Sequence, residues 1–167
     1  MSNNSLVTYD PKVDLVEVRS NEVKFPRIGK TEPAQAYILM KEIIIDAYMY
    51  RGQMADEEMV NFTAANLVAE LTDPHNGYGM QNLSWYEIAR AIKRSLLGMG
   101  KEMYGISVAS LYNACLEYTK GEGHDAEKKV VDRVVAPKLP EEMQTLIDGK
   151  SADLAMLLTE RTKEAYR

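Results

Sequence analysis

Cysteine is nearly absent. Cys115 stands alone among 167 residues, so no intramolecular disulfide can form and a reducing compartment is the simple reading. It falls on the apolar face of an expected helix, which makes it a small core residue rather than a nucleophile. Histidine is almost as scarce. His75 and His124 are the only two, and neither has a second histidine three or four residues away. A zinc site needs three or four ligands at rigid spacing, so Glu122-Gly123-His124-Asp125 reads as a solvated turn in which Asp125 caps a helix. No apolar run is long enough to span a bilayer. The longest, around Tyr37–Tyr50, is broken by Lys41, Glu42 and Asp46. The opening Met-Ser-Asn-Asn-Ser has neither the basic region nor the apolar core of a signal peptide.

Catalytic signatures are missing as well. Gly98-Met99-Gly100-Lys101 invites comparison with a phosphate-binding loop. That loop requires Gly, four residues, Gly-Lys and then Ser or Thr, after a strand. Here Ser95 occupies the first glycine position, Glu102 replaces the hydroxyl residue, and a helix precedes. No cofactor is expected, and the chain reads as a non-enzyme. Asp46 is the carboxylate to watch, because an acid on so apolar a helix must find a donor, reach an edge or shift its pKa. A pocket joining His75 or His124 to Asp46 or Glu87 would revive an enzymatic reading.

Positive charge is in deficit. Lys and Arg number 20 against 25 Asp and Glu, a formal net charge of −5, which repels nucleic acid and anionic lipid on average. What is abundant is tyrosine and methionine, 10 of each against 2 Phe and 1 Trp. Both residues combine apolar bulk with adaptability and are enriched at protein interfaces.

The expected architecture is all-α: a compact bundle of five to seven helices over residues 33–167, behind an extended or β-hairpin N-terminal arm at 1–32. The arm is assigned from the strand-like alternation Val13-Asp14-Leu15-Val16-Glu17-Val18-Arg19, repeated at Glu22-Val23-Lys24-Phe25. An isolated hairpin is marginal in water, so it must lie on the body or on a partner. Val13, Leu15, Val16, Val18, Val23 and Phe25 are its candidate partner-binding residues.

Thr31 is the expected cap of a helix running to Arg51, with Gly52 at its end. Because that helix is apolar nearly all round, it is expected to be central. Asp56 caps the next, whose Val60, Thr63, Ala64, Leu67, Val68 and Leu71 follow helical spacing. The stretch from Asp73 to Gly79 is a loop by composition. Ser84 and Glu87 form a capping box flanked by a Leu83–Ile88 staple, and Ser107 starts a further helix that ends at Gly121. Helices are also expected at 125–135, 141–148 and 152–166.

The pair at 84–119 resembles a helix-turn-helix, with Arg90, Lys93, Arg94 and Lys101 placed to contact phosphates. The second helix, which should read bases, has no Lys or Arg before Lys120. Nucleic acid is therefore the disfavoured partner, and a replication or regulatory accessory is the alternative reading. The stretch Leu83-Ser84-x-x-Glu87-Ile88-x-x-Ala91-Ile92, with Gly98, Tyr104-Gly105-Ile106-Ser107-Val108, Leu111-Tyr112 and Tyr118, resembles a segment of small helical proteins of bacteriophages and integrated mobile elements. The resemblance covers residues 83–118. It implies a viral or mobile-element origin, with a role in replication or particle assembly, and brings no functional residue with it. The preferred expectation is a protein–protein interaction or assembly protein. It would dock on a protein partner or a second copy through Tyr/Met surfaces and the arm, with no membrane association, in the bacterial cytoplasm or within a phage particle.

Overall fold

The computed structural model describes Asp10 and residues 12–76, 79–99 and 103–135. Among these the chain is all-α, with six helices: α1 (Leu15–Ser20), α2 (Pro33–Tyr50), α3 (Glu57–Thr72), α4 (Trp85–Leu96), α5 (Val108–Tyr118) and α6 (His124–Val135). The expected helices at 141–148 and 152–166 lie outside the described residues. Contacts divide the chain after Val130. The first unit holds α1 to α5 and the start of α6. Of the second, only residues 131–135 are described.

Local chemistry sets the helix boundaries. Asp56 accepts from the Met59 amide at 3.3 Å and opens α3. Ser84 and Ser107 each close a capping box at the start of α4 and α5. Pro33 occupies the first turn of α2, where its missing N–H leaves no bond unmade. The cap of α2 is Glu32 rather than Thr31. The Thr31 hydroxyl is engaged elsewhere, accepting from Trp85 Nε1 at 2.8 Å and donating to the Arg27 carbonyl. Gly52 follows α2 at φ +65°, a left-handed conformation that a side chain would strain.

α2 packs on α3, and both pack against α4 or α5. Met40, Ile44, Leu67, Leu71, Trp85, Ile88, Ile92 and Leu111 form the fully buried centre. Contrary to expectation, α2 is not central. Its inner face (Ala36, Leu39, Met40, Ile43, Ile44, Ala47) is buried, while Ile38, Ile45 and Met49 on the opposite side meet solvent. Asp46 is on the exposed side too.

The arm is the larger correction. Residues 15–20 form a helix, not a strand. The Asp14 carboxylate caps it by accepting from the Val16 amide at 2.9 Å. Val16, Val18 and Arg19 are all buried, although strand geometry would send Arg19 to the face opposite the two valines. Alternation over seven residues is too short to fix a period, and the cap decides the outcome. Lys24 and its neighbours form a turn rather than a second strand. The extended backbone of this region is a single antiparallel bridge between Arg27 and Ser84, in which Ile28 N donates to Leu83 O at 2.9 Å and Trp85 N to Pro26 O at 3.3 Å.

Candidate functional site

Two places in the first unit concentrate polar or interface chemistry. One is closed and one is open.

The closed place is the start of α4. Glu87, in the first turn, has no exposed surface. Its Oε2 accepts from the Ser84 amide at 2.9 Å and lies 3.0 Å from the Ser84 hydroxyl, completing the capping box. Its Oε1 accepts from Arg19 Nε of α1 at 2.5 Å and from the Tyr118 hydroxyl of α5 at 3.2 Å. Arg27 stands 4.0 Å from Oε2 and donates to the carbonyls of Asn82 and Arg19, each at 2.6 Å. One carboxylate thus joins α1, α4, α5 and the segment before α2. Gly123 is required beside it, because a Cβ there would lie 2.9 Å from Arg19 Nη2 and 3.1 Å from the Tyr118 carbonyl. Burial raises the Tyr118 pKa, and the neighbouring Glu87 carboxylate raises it further. Both carboxylate oxygens are already occupied, so the cluster is a structural hub.

Sequence reasoning identified Glu87 as a cap and as a conditional member of an enzymatic pocket, not as an ion-pair partner. It placed Arg19 and Arg27 in the arm at 1–32. The Arg19–Glu87 pair spans 68 positions, and no local pattern signals it.

The candidate arm residues separate into two groups. Val16 and Val18 are core and unavailable to a partner. Val13 and Leu15 are half-buried, and Phe25 packs edge-on against Tyr86 with ring centroids 5.6 Å apart. Only Val23, 96% exposed, is fully presented.

Three of the four candidate phosphate-binding residues make contacts within the chain. Arg90 Nε pairs with Glu122 at 3.2 Å, and Arg94 pairs with the other oxygen of the same carboxylate. Lys93 Nζ lies 5.2 Å above the Tyr50 ring. Lys101 lies outside the described residues. The candidate catalytic groups do not converge: His75, His124 and Asp46 are exposed, while Glu87 is buried in the hub. Among the described residues no three His, Cys, Asp or Glu side chains gather as a metal site would require. No helix among them is long and apolar enough to cross a membrane.

The open place is the other end of α4. The Lys93–Tyr50 contact sets the last turn of α4 beside the last turn of α2, so the connections that follow the two helices leave from neighbouring points. Beside exposed polar residues such as Arg51, Gln53 and Asp56, this end presents large apolar side chains. Tyr50 and Met54 come from the α2–α3 side at 52% and 97% exposure. Leu97, Met99 and Tyr104 come from the α4–α5 side at 47%, 65% and 87%. Two shallow cavities of about 330 and 240 Å³ run from here along α4 and α5, sharing Ser95, Ala114 and Glu117. Met103 and Tyr104 line the first, and Met99 and Arg94 line the second.

Comparison with known proteins finds no matching family model, no matching curated protein and no matching solved structure.

Proposed function

We propose that the protein is a non-enzymatic interaction or assembly module whose docking surface is the Met/Tyr end formed by the two connections. The observation that carries this reading is the exposure of Tyr50, Met54, Leu97, Met99 and Tyr104 around the Lys93–Tyr50 contact. Large apolar side chains gathered at one end of a helical unit are the composition expected of an interface centre. Methionine and tyrosine suit it because a thioether bends to fit and a phenol tolerates water in the free state. The closed hub supports the same division of labour, since it holds α4 rigidly from behind. The resemblance of residues 83–118 to phage and mobile-element proteins directs the search toward virion or replication components as partners.

The test is affinity capture from the native source with the full chain and with a Met54→Ser/Met99→Ser/Tyr104→Ser variant. Proteins held by the parent and released by the variant, with the two chains unfolding at the same denaturant concentration, are the expected result. A variant that retains every partner overturns the assignment of the surface.

A further inference from the structure

The outer face of α2 carries a second, independent surface. Positions 34, 38, 41, 42, 45 and 49 fall on one side of the helix by their steps of three, four and seven residues. Ala34, Ile38, Ile45 and Met49 run down the middle of that side, and Ile38 and Met49 are 56% and 70% exposed. Lys41 flanks the line on one edge and Glu42 on the other. Lys41 Nζ lies 5.6 Å over the Tyr37 ring. Among the described residues Glu42 makes no ion pair. Ile38 and Ile45 are seven residues apart, the repeat that lets two helices meet along a seam.

The edge charges choose both the occupant and its direction. Suppose a second copy is laid on this face in parallel, about a two-fold axis running along the helix. Each seam residue then meets its own counterpart, Ile38 on Ile38 and Ile45 on Ile45. The two edges exchange sides, so Lys41 of each copy stands beside Glu42 of the other. An antiparallel arrangement keeps each edge on its own side and sets Lys41 against Lys41 and Glu42 against Glu42. Like charges so placed are repulsive. Parallel pairing matches apolar with apolar and cation with anion throughout.

We propose that two copies of this chain associate in parallel through the outer face of α2, with Ile38 and Ile45 in the seam and reciprocal Lys41–Glu42 ion pairs on both sides. The pairing goes beyond the Met/Tyr-end reading and does not depend on it.

Sedimentation equilibrium of the full chain over a concentration series tests the proposal. The parent is expected to show a reversible monomer–dimer equilibrium. Lys41→Glu and Glu42→Lys each replace two attractions with two repulsions and should raise the dimer Kd by roughly tenfold or more. The double variant Lys41→Glu/Glu42→Lys should restore it, because the charges are exchanged on both edges together. An Ile38→Cys chain should cross-link to itself under mild oxidation, since parallel pairing places position 38 opposite position 38. Circular dichroism confirms that each variant folds. A parent that is monomeric at every soluble concentration, single variants that dimerise like the parent, a double variant that is not rescued, or an Ile38→Cys chain that stays unlinked each overturns the proposal.

Discussion

The two ends of α4 are built from the same helix and have opposite surroundings. At its start Trp85, Tyr86, Glu87 and Ile88 are all buried, and the polar atoms of Glu87 are shared among α1, α4 and α5. Past its end Leu97 and Met99 are 47% and 65% exposed. The difference shows where polar and apolar groups contribute most. A carboxylate can be fully buried if every lone pair meets a donor. Large apolar groups can be left in water where a partner later covers them. Stability is thus concentrated at one end of the helix and exposed apolar surface at the other.

That contrast can be broken most severely at Glu87. Glu87→Ala leaves the Arg19 guanidinium buried without its carboxylate and should lower the unfolding free energy by about 3–5 kcal/mol, read by denaturant titration. Gly123→Ala pushes a methyl group into the space of Arg19 Nη2 and the Tyr118 carbonyl. It should cost about 1–3 kcal/mol. The combination with Glu87→Ala is expected to be less than additive, because the same guanidinium is affected twice.

The two capping boxes sharpen the comparison further. Ser107→Ala removes an exposed cap and should cost about 1 kcal/mol. Ser84→Ala removes the same kind of cap inside the hub, with its hydroxyl also 3.0 Å from Glu87, and should cost more, about 2 kcal/mol. At the open end, Met54→Ser and Met99→Ser should each change stability by no more than about 0.5 kcal/mol.

The smallest effect is a pH dependence at the surface. The Lys30 ammonium, hydrogen-bonded at 2.7 Å, holds the Glu22 carboxyl below its ordinary value of 4.5, with Arg27 adding a lesser pull. A depressed folded-state pKa stabilises the fold above 4.5, and that contribution fades as the pH falls through the lower value. Lys30→Met should flatten this limb of an acid-unfolding curve and leave the rest unchanged.

Much of the helical frame was legible in the residues. Asp56, Ser84 and Ser107 cap the helices their positions predict, because a cap is read from a few neighbouring side chains. Cys115, Leu111 and Ile92 are core, as helical spacing implies. The helix at 15–20 escaped because its alternation imitates a strand. Asp14 three residues before Glu17 was the available sign of a helix start. The solvent-facing side of α2 escaped for another reason: an apolar helix face reads the same whether the chain itself or another molecule covers it. The hub is a tertiary event. Arg19, Glu87 and Tyr118 are ordinary residues until folding brings them within hydrogen-bond distance.

Cys115 provides a way to watch that assembly come apart. Its thiol is fully enclosed, and burial pushes its pKa up to about 12, so at neutral pH it is neither accessible nor ionised while the helices stay packed. A thiol reagent therefore reacts only with molecules in which α5 has opened. Under conditions where reclosing outruns labelling, the reaction rate is proportional to the population of that open form. The lone cysteine makes the unmodified protein its own stopwatch for local unfolding, with no label to introduce and no second thiol to confuse the signal.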